Sequence, residues 1–434
     1  MSQTTTRRLS VSAIAAIFVL ALLLPGWAGA KQGHRDQRGH VGTPAKSVSA
    51  KHGHGHRHGH GHGRHHGQGH PGNGGHHGDD NGRGKVVDTM TRNVYLGADL
   101  APAIGAPSLE AFVAANGQIL REVTANDFPT RAKGLAQEIL AEKPDLVGLQ
   151  EVALWRTGPP SLTPVLTGEP TATTVRYDYL QLLLDQLNKG PDRYEVVVAQ
   201  DEFDLEAPAD ENKVAGDGPN PAIANAEING RLTMRDVILA RRGAGVQTSN
   251  PQSANFKTLL AVPILGKPLT IKRGWTATDA KVRGSGGWFR FVNTHLEAFD
   301  PAVLVPSIRA LQAAELVAPG GPATGSLPVV LVGDLNSDDD TVAPGDQQAY
   351  RVLLEAGFVE RSTNDPLSCC LNSSLLAVGA GGSVADFDHQ VDHVMTNDPD
   401  DIALKDSEVT GLLPVNGFWS SDHAGIFSSL RFAH

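Results

Sequence analysis

Pro328-Val-Val-Leu-Val-Gly-Asp-Leu-Asn-Ser337 is where the fold of this 434-residue chain declares itself. Four aliphatic residues bounded by Pro328 and Gly333 predict a strand buried on both faces, because the run is too short for a helix. Side chains alternate along a strand, so Asp334 and Asn336 emerge on the same side at its C-terminal end. Asp, Asn, Ser and Gly also close strands as ordinary turns. Whether this pair is a turn or part of a site depends on what the other strands deliver.

They deliver more polar residues. Residues 86–93 predict a strand ending at Asn93, and residues 145–150 a strand followed at once by Glu151. The strand over 288–292 runs into Asn293-Thr-His295, with Asn293 and His295 on one face. Residues 391–395 form a short strand carrying Asp392, and Ser420-Ser-Asp-His423 precedes a closing strand over 426–432. Further strands are expected over 194–199, 237–240 and 269–271. Helices are expected after Ser108, over 130–143 up to Pro144, and over 177–187, 303–316 and 347–355. The acidic, Ala/Pro/Gly-rich stretch 201–230 predicts a long surface loop or flap, and 379–382 a turn. No repeat and no linker divides residues 86–434, which predicts one α/β domain. Six polar strand ends are more than turns require, since loops at one end of a sheet are where sites are assembled.

Composition separates this domain from what precedes it. Residues 1–30 carry Arg7-Arg8, an apolar run over 11–24 and small residues up to Ala30, which predicts a secretory signal peptide cut after Ala30 and no stable membrane span thereafter. Thr6-Arg7-Arg8-Leu9 resembles a twin-arginine signal, so the export route stays open. Residues 31–85 hold thirteen of the 18 histidines among Gly and Arg, with almost nothing apolar to bury, and are expected to be disordered. The imidazoles over 52–77 suit loose binding of transition metals, or the segment is a solvated spacer. Residues 86–434 carry 26 basic and 44 acidic residues, a net of −18, which disfavours a broad polyanion-binding surface. The two cysteines are adjacent, Cys369-Cys370, and form either a vicinal disulfide or two thiols; with no other cysteine to complete a zinc site, the expectation is a structural role in a tight loop and not zinc binding.

The ordered set Asn93, Gln150-Glu151, Asn293-Thr-His295, Gly333-Asp-Leu-Asn336, Asp392 and Ser421-Asp-His423 resembles the endonuclease/exonuclease/phosphatase superfamily, the deoxyribonuclease-like metal-dependent phosphoesterases. The resemblance implies a four-layer α/β sandwich, two mixed β-sheets packed face to face with outer helices. It implies Mg²⁺ or Mn²⁺ held by Asn93, Glu151 and Asp422. Asp334 would orient or deprotonate water, and Asn336 would donate to a phosphoryl oxygen. His423 would be the base or phosphate-polarising histidine, oriented by Asp392. His295 would stabilise the phosphorus centre or assist the leaving group, supported by Asn293 toward the phosphate; Arg309 is a candidate phosphate contact, against the plainer reading of a surface salt bridge. Arg131 and Arg273 are further candidate phosphate contacts, against the plainer reading of surface salt bridges. Where many members have Arg-Ile-Asp-Tyr this chain has Gln390-Val-Asp-His393, and Met234-Arg235-Asp236 stands where many have Gly-Asn.

The expectation is a secreted, monomeric phosphoester hydrolase that uses a divalent metal to direct water at phosphorus. Its substrate is a nucleic acid, a phospholipid headgroup or a small phosphoester. Thr294 to Ala298 is similar to a sphingomyelinase stretch, which keeps a phospholipase C-like or nuclease activity open. The contrasting expectation is a non-catalytic scaffold whose His-rich segment captures metal.

Overall fold

Alternation along the short apolar strands decides the layers. The computed structural model describes residues 85–283, 287–299, 304–338, 347–362, 367–378, 382–398 and 400–433. The expected signal peptide, the His-rich segment apart from Lys85, and most of the 379–382 turn lie outside these. From the start the elements are β1 (Lys85–Asn93), α1 (Ala101–Ile104), α2 (Leu109–Ala125), α3 (Phe128–Glu142), β2 (Leu146–Gln150), β3 (Leu154–Gly158), α4 (Thr163–Thr167), β4 (Thr174–Asp178) and α5 (Tyr179–Leu187). Strands β5 (Tyr194–Ala209), β6 (Ile228–Arg241), β7 (Val246–Asn255), β8 (Leu260–Ile264), β9 (Lys267–Ile271), β10 (Gly274–Val282) and β11 (Trp288–His295) follow. The last are α6 (Ile308–Val317), β12 (Val329–Asp334), α7 (Gln348–Glu355), β13 (Val359–Glu360), β14 (Asp392–Thr396), β15 (Ile402–Thr410) and β16 (Gly425–Phe432).

One sheet runs β15-β16-β1-β2-β6-β3-β4 with β5 joined to β6; the other runs β13-β14-β12-β11-β10-β7. Strands β8 and β9 form a separate hairpin. Val330 and Val332 of β12, Phe289 and Phe291 of β11 and Val394 of β14 meet Val87, Leu146, Ile238, Ile426 and Leu430 between the sheets. Their neighbours in sequence point the other way. Val329 and Leu331 pack with Ala313, Leu316 and Leu353 of α6 and α7. Met90, Val147, Leu149, Val237 and Leu239 pack with Phe112, Leu120, Leu135, Ile139 and Leu183 of α2, α3 and α5. Each fully buried aliphatic or aromatic side chain contributes about 1.5–3 kcal/mol. The result is the four-layer α/β sandwich.

Two glycines set the approach of the sheets near one end. A Cβ on Gly148 would lie 2.5 Å from both Asn293 Oδ1 and Val332 Cγ2, so its absence lets the Asn293 carboxamide cross the gap. A Cβ on Gly333 would lie 2.1 Å from the Thr294 carbonyl, with φ at +153°. Here the backbone of β12 presses on β11 immediately before Asp334.

Several expectations are corrected. Residues 201–230 are not a loop throughout: β5 extends to Ala209 and β6 starts at Ile228, paired over most of their length. Phe203, Ala207 and Ala209 pack toward the helices, and long-range pairing overrides weak local strand preference. The helix expected from 177 begins at Tyr179, because Asp178 caps it by accepting from the Gln181 amide. The helix expected from 303 is described from Ile308, capped by Ser307. Strands β3, β4, β7, β8, β10, β13 and β15 were not anticipated. Among the described residues no helix is long and apolar enough to cross a membrane.

Candidate active site

Strand register builds the site. Parallel pairing of β11 with β12 puts His295 beside Asp334, and antiparallel pairing of β12 with β14 puts Asp334 opposite Asp392. In the facing sheet β1 and β2 pair Asn93 with Gln150, and Glu151 follows directly. Asn93 Nδ2 donates across the gap to Asp334 Oδ2 at 2.9 Å, while Asn93 Oδ1 accepts from the Tyr95 amide. Asp334 Oδ1 accepts from the Asn336 amide at 2.9 Å, and Asn336 Nδ2 donates to the Leu296 carbonyl at 3.1 Å. Glu151 Oε2 accepts from the Leu96 amide at 2.8 Å. Glu151 and Asn336 have φ of 58° and 48°. Left-handed backbone at non-glycine residues costs about 1–3 kcal/mol and concentrates where function demands it.

His423 closes the group. Its Nδ1 lies 2.8 Å from Asp392 Oδ2, and its Nε2 lies 3.7 Å from Asp334 Oδ2 and 4.0 Å from Asp422 Oδ1. Burial alone would lower its pKa, but Asp392 and Asp334 outweigh burial and raise it to about 10. Burial raises the Asp334 pKa to about 6, against the pull of His423 and with the push of Asp392. At neutral pH the ring is therefore an imidazolium, set among the side chains of Asp334, Asp392 and Asp422. Asp392 Oδ1 is buried with no hydrogen-bond partner. Ligand atoms of Asp334, Asp392 and His423 lie within 4.8 Å of one another. Surplus carboxylate oxygen of this kind fits a hard divalent cation.

His295 stands against a second buried charge group. Arg273 Nη1 lies 3.0 Å from His295 Nδ1, and His295 Nε2 lies 3.5 Å from Asp334 Oδ2. Burial, then the charges of Arg273 and His423, push the His295 pKa well below its ordinary value, so the ring is neutral. Behind Arg273 lie Asp236 and Glu202. Burial and Glu202 raise the Asp236 pKa well above the usual range, opposed by Arg273, and both its oxygens lack hydrogen-bond partners. Burial raises Glu202 to about 8, with Arg273 opposing.

Asn93, His295, Asp334, Asn336, Asp392, Asp422 and His423 are thus brought together, with Glu151 next to Asn93 at the paired strand end. Asn293 and Arg309 take other tasks. The Asn293 carboxamide is buried between the sheets, accepting from Gln150 Nε2 at 2.6 Å and donating to the Leu149 carbonyl and Thr276 Oγ1, so it ties the sheets instead of meeting substrate. Arg309 donates to the Asn336 and Ala298 carbonyls and so braces the turn. Nor are Arg131 and Arg273 surface salt bridges. Arg131 is buried on the carbonyls of Asn126, Val94, Ser420 and Tyr95, and stacks over Phe128. Where the related arginine was expected, Gln390 turns to Ser362 and His393.

Some contributors escaped sequence reasoning. Arg92 is buried, pairs with Glu138, and donates to the carbonyls of Asn93 and His423. Ser368 Oγ accepts from the amides of Val391 and Asp392. An arginine directly before the strand-end Asn93 was the available signal for Arg92; Ser368 had none.

The family model described as "Endonuclease/Exonuclease/phosphatase family" matches residues 93–423. Among solved structures, a protein of that family from Bacteroides thetaiotaomicron is similar at 15% identity, over 81% of this chain and 99% of its own, with a TM-score of 0.47. The human Nocturnin catalytic domain matches at 15% identity over 80% and 93%, TM-score 0.42. A mannosyl-6-phosphatase of Bacteroides thetaiotaomicron matches at 16% over 80% and 100%, TM-score 0.42. No curated protein matches. The match of the family model, spanning most of the chain and every residue of the constellation from Asn93 to His423, establishes that this protein belongs to the endonuclease/exonuclease/phosphatase family.

Proposed function

We propose that the chain is a divalent-metal-dependent phosphoester hydrolase in which water attacks phosphorus. The observation that carries this is the row His295, Asp334, Asp392 with His423 bound through Nδ1 to Asp392. Asn93, Glu151 and Asp422, with the Asp334 carboxylate nearby, would hold Mg²⁺ or Mn²⁺, which supplies positive charge against the phosphoryl oxygens. Asp334 takes a proton from the attacking water. Its raised pKa makes it a stronger base than an ordinary carboxylate. Asn93 and the Asn336 amide hold its two oxygens in place for that step. His423, kept protonated by Asp392, donates toward a phosphoryl oxygen. Neutral His295 sits beside the phosphorus centre and the leaving oxygen, held by Arg273.

A phosphodiester inside a lipid headgroup is the substrate class with an observation of its own. Leu376, Val378 and Leu413 are 43%, 88% and 74% exposed on loops that the Ala377–Gly417 backbone bond joins. Exposed aliphatic side chains at a loop edge suit an apolar surface. We also propose that residues 1–30 direct export and that residues 31–85 form a metal-binding or spacing segment.

The test is turnover of bis(p-nitrophenyl) phosphate with Mg²⁺, by the wild type and by His423→Ala. Plasmid DNA, RNA, sphingomyelin and inositol phosphates then rank the substrates. If no substrate of that panel shows metal-dependent turnover, the hydrolase reading is wrong.

A further inference from the structure

Hydrolysis as described leaves Cys369 and Cys370 without a task, yet they stand against its central imidazole. The two are joined as a vicinal disulfide. Their sulfurs lie 3.7 and 3.8 Å from His423 Nε2, the ring nitrogen that also faces Asp334. Backbone bonds hold them there. Cys369 and His389 exchange amide-to-carbonyl bonds at 3.0 Å, Leu371 donates to the Asp422 carbonyl, and Ala424 donates to the Ser368 carbonyl. The pair is therefore stitched between the segments that carry Asp392 and His423.

That spacing matches a coordination sphere. In a tetrahedral zinc site, bonds of about 2.3 Å to sulfur and about 2.1 Å to nitrogen place the two donors roughly 3.6 Å apart. A second requirement is an imidazole whose other nitrogen is backed by a carboxylate, which orients the ring and raises its donor strength. Asp392 meets it, 2.8 Å from Nδ1.

We propose that the reduced pair, with His423 Nε2, forms a site for a thiophilic divalent cation such as Zn²⁺, and that filling it withdraws His423 from hydrolysis. Reduction comes first: a dithiol passes two electrons to the disulfide, the S–S bond breaks, and the dithiol ends as its own disulfide. Cys369 and Cys370 then carry one proton each, and both leave as the cation binds, together with the Nε2 proton of the His423 imidazolium, while Nδ1 keeps its proton toward Asp392. In the disulfide form neither sulfur is a thiolate, so only the oxygen-rich side of the site binds a cation. The cation site stands on geometry alone; its effect on turnover rests on the hydrolase reading.

The experiment uses the full-length chain, reduced with a dithiol, freed of it under nitrogen and titrated with Co²⁺. The reduced protein should gain a thiolate-to-cobalt charge-transfer absorption saturating at one ion per chain. The oxidised protein and the Cys369→Ser/Cys370→Ser variant should gain none, and the histidines of residues 31–85 contribute no such band. In the presence of Mg²⁺, added Zn²⁺ should abolish turnover of the reduced wild type while sparing the double variant. Cys370→Ser alone, at the half-buried position, supplies the comparison if the double variant misfolds. No charge-transfer band in the reduced wild type overturns the site. A band accompanied by Zn²⁺ inhibition equal in wild type and variant overturns its effect on His423. Because the cobalt spectrum is read without turnover, an inactive protein would count against the hydrolase reading alone.

Discussion

Asp334 is held by Asn93 on one oxygen and by the Asn336 amide on the other, and its raised pKa comes from burial. Asp334→Asn keeps the shape and removes the base. Turnover should fall by about 10²- to 10⁴-fold, the usual worth of a positioned proton acceptor, with the thermal unfolding curve little changed. His423 makes a separate prediction for the metal-free protein. Its folded pKa of about 10 lies above the ordinary 6.5. Stability from this group is therefore fully present below about pH 6.5 and lost as pH rises through about 10. Denaturant midpoints of chelator-treated protein should decline over that window, and His423→Gln should remove that part of the decline. Asp334 titrates in a lower window with the same sign, its contribution present below the ordinary 3.8 and lost as pH passes about 6.

At the level of strands and helices, Gly148 tests how closely the sheets must approach. Gly148→Ala meets Asn293 and Val332 at 2.5 Å, and overpacking of this kind costs about 1–3 kcal/mol. Gly190→Ala meets nothing within 4 Å and should change stability by less than about 0.5 kcal/mol in the same denaturation measurement. The contrast also shows what was legible in the sequence. β12 and β2 could be read because dense apolar runs stop abruptly at polar residues, which places Asp334 and Glu151, while β1 and β14 are marked by the shorter runs Val86-Val87 and Val394-Met395. β5 was legible only over 194–199, since Asp201, Glu202, Asp204 and Glu206 disguise its continuation to Ala209, whose partner, β6, lies beyond a long loop. Asn293 was assigned to substrate because alternation gives a face but not a depth. One position further into the sandwich, a carboxamide binds the opposite sheet. Arg131 looked like a surface residue because three of its four carbonyl partners, on Val94, Tyr95 and Ser420, come from segments remote in sequence.

For the molecule as a whole, the site spans both sheets, so whatever binds it binds the closed sandwich. A cation at about 100 times its dissociation constant adds roughly 2.7 kcal/mol to stability. Chelation should therefore lower the melting temperature and stop turnover together, and restored Mg²⁺ should recover both. Removing residues 31–85 should leave that behaviour intact while ending retention on a nickel column, the expected result if the histidines capture metal.

Strand β1 lies between β2 and β16, with Thr89 bonded to the Ser428 carbonyl 339 positions downstream. During synthesis, then, the first strand of the domain waits unpaired on one edge until β16 has left the ribosome. A chain stopped before Gly425 should show no near-ultraviolet circular dichroism, although it already contains every residue of the constellation. Until β16 arrives, Asn93 and Glu151 are carried on a strand pair without its second neighbour. Hydrolytic competence should therefore appear all at once, with the closing of the last seam, and the nascent protein should be inert while it is still being made.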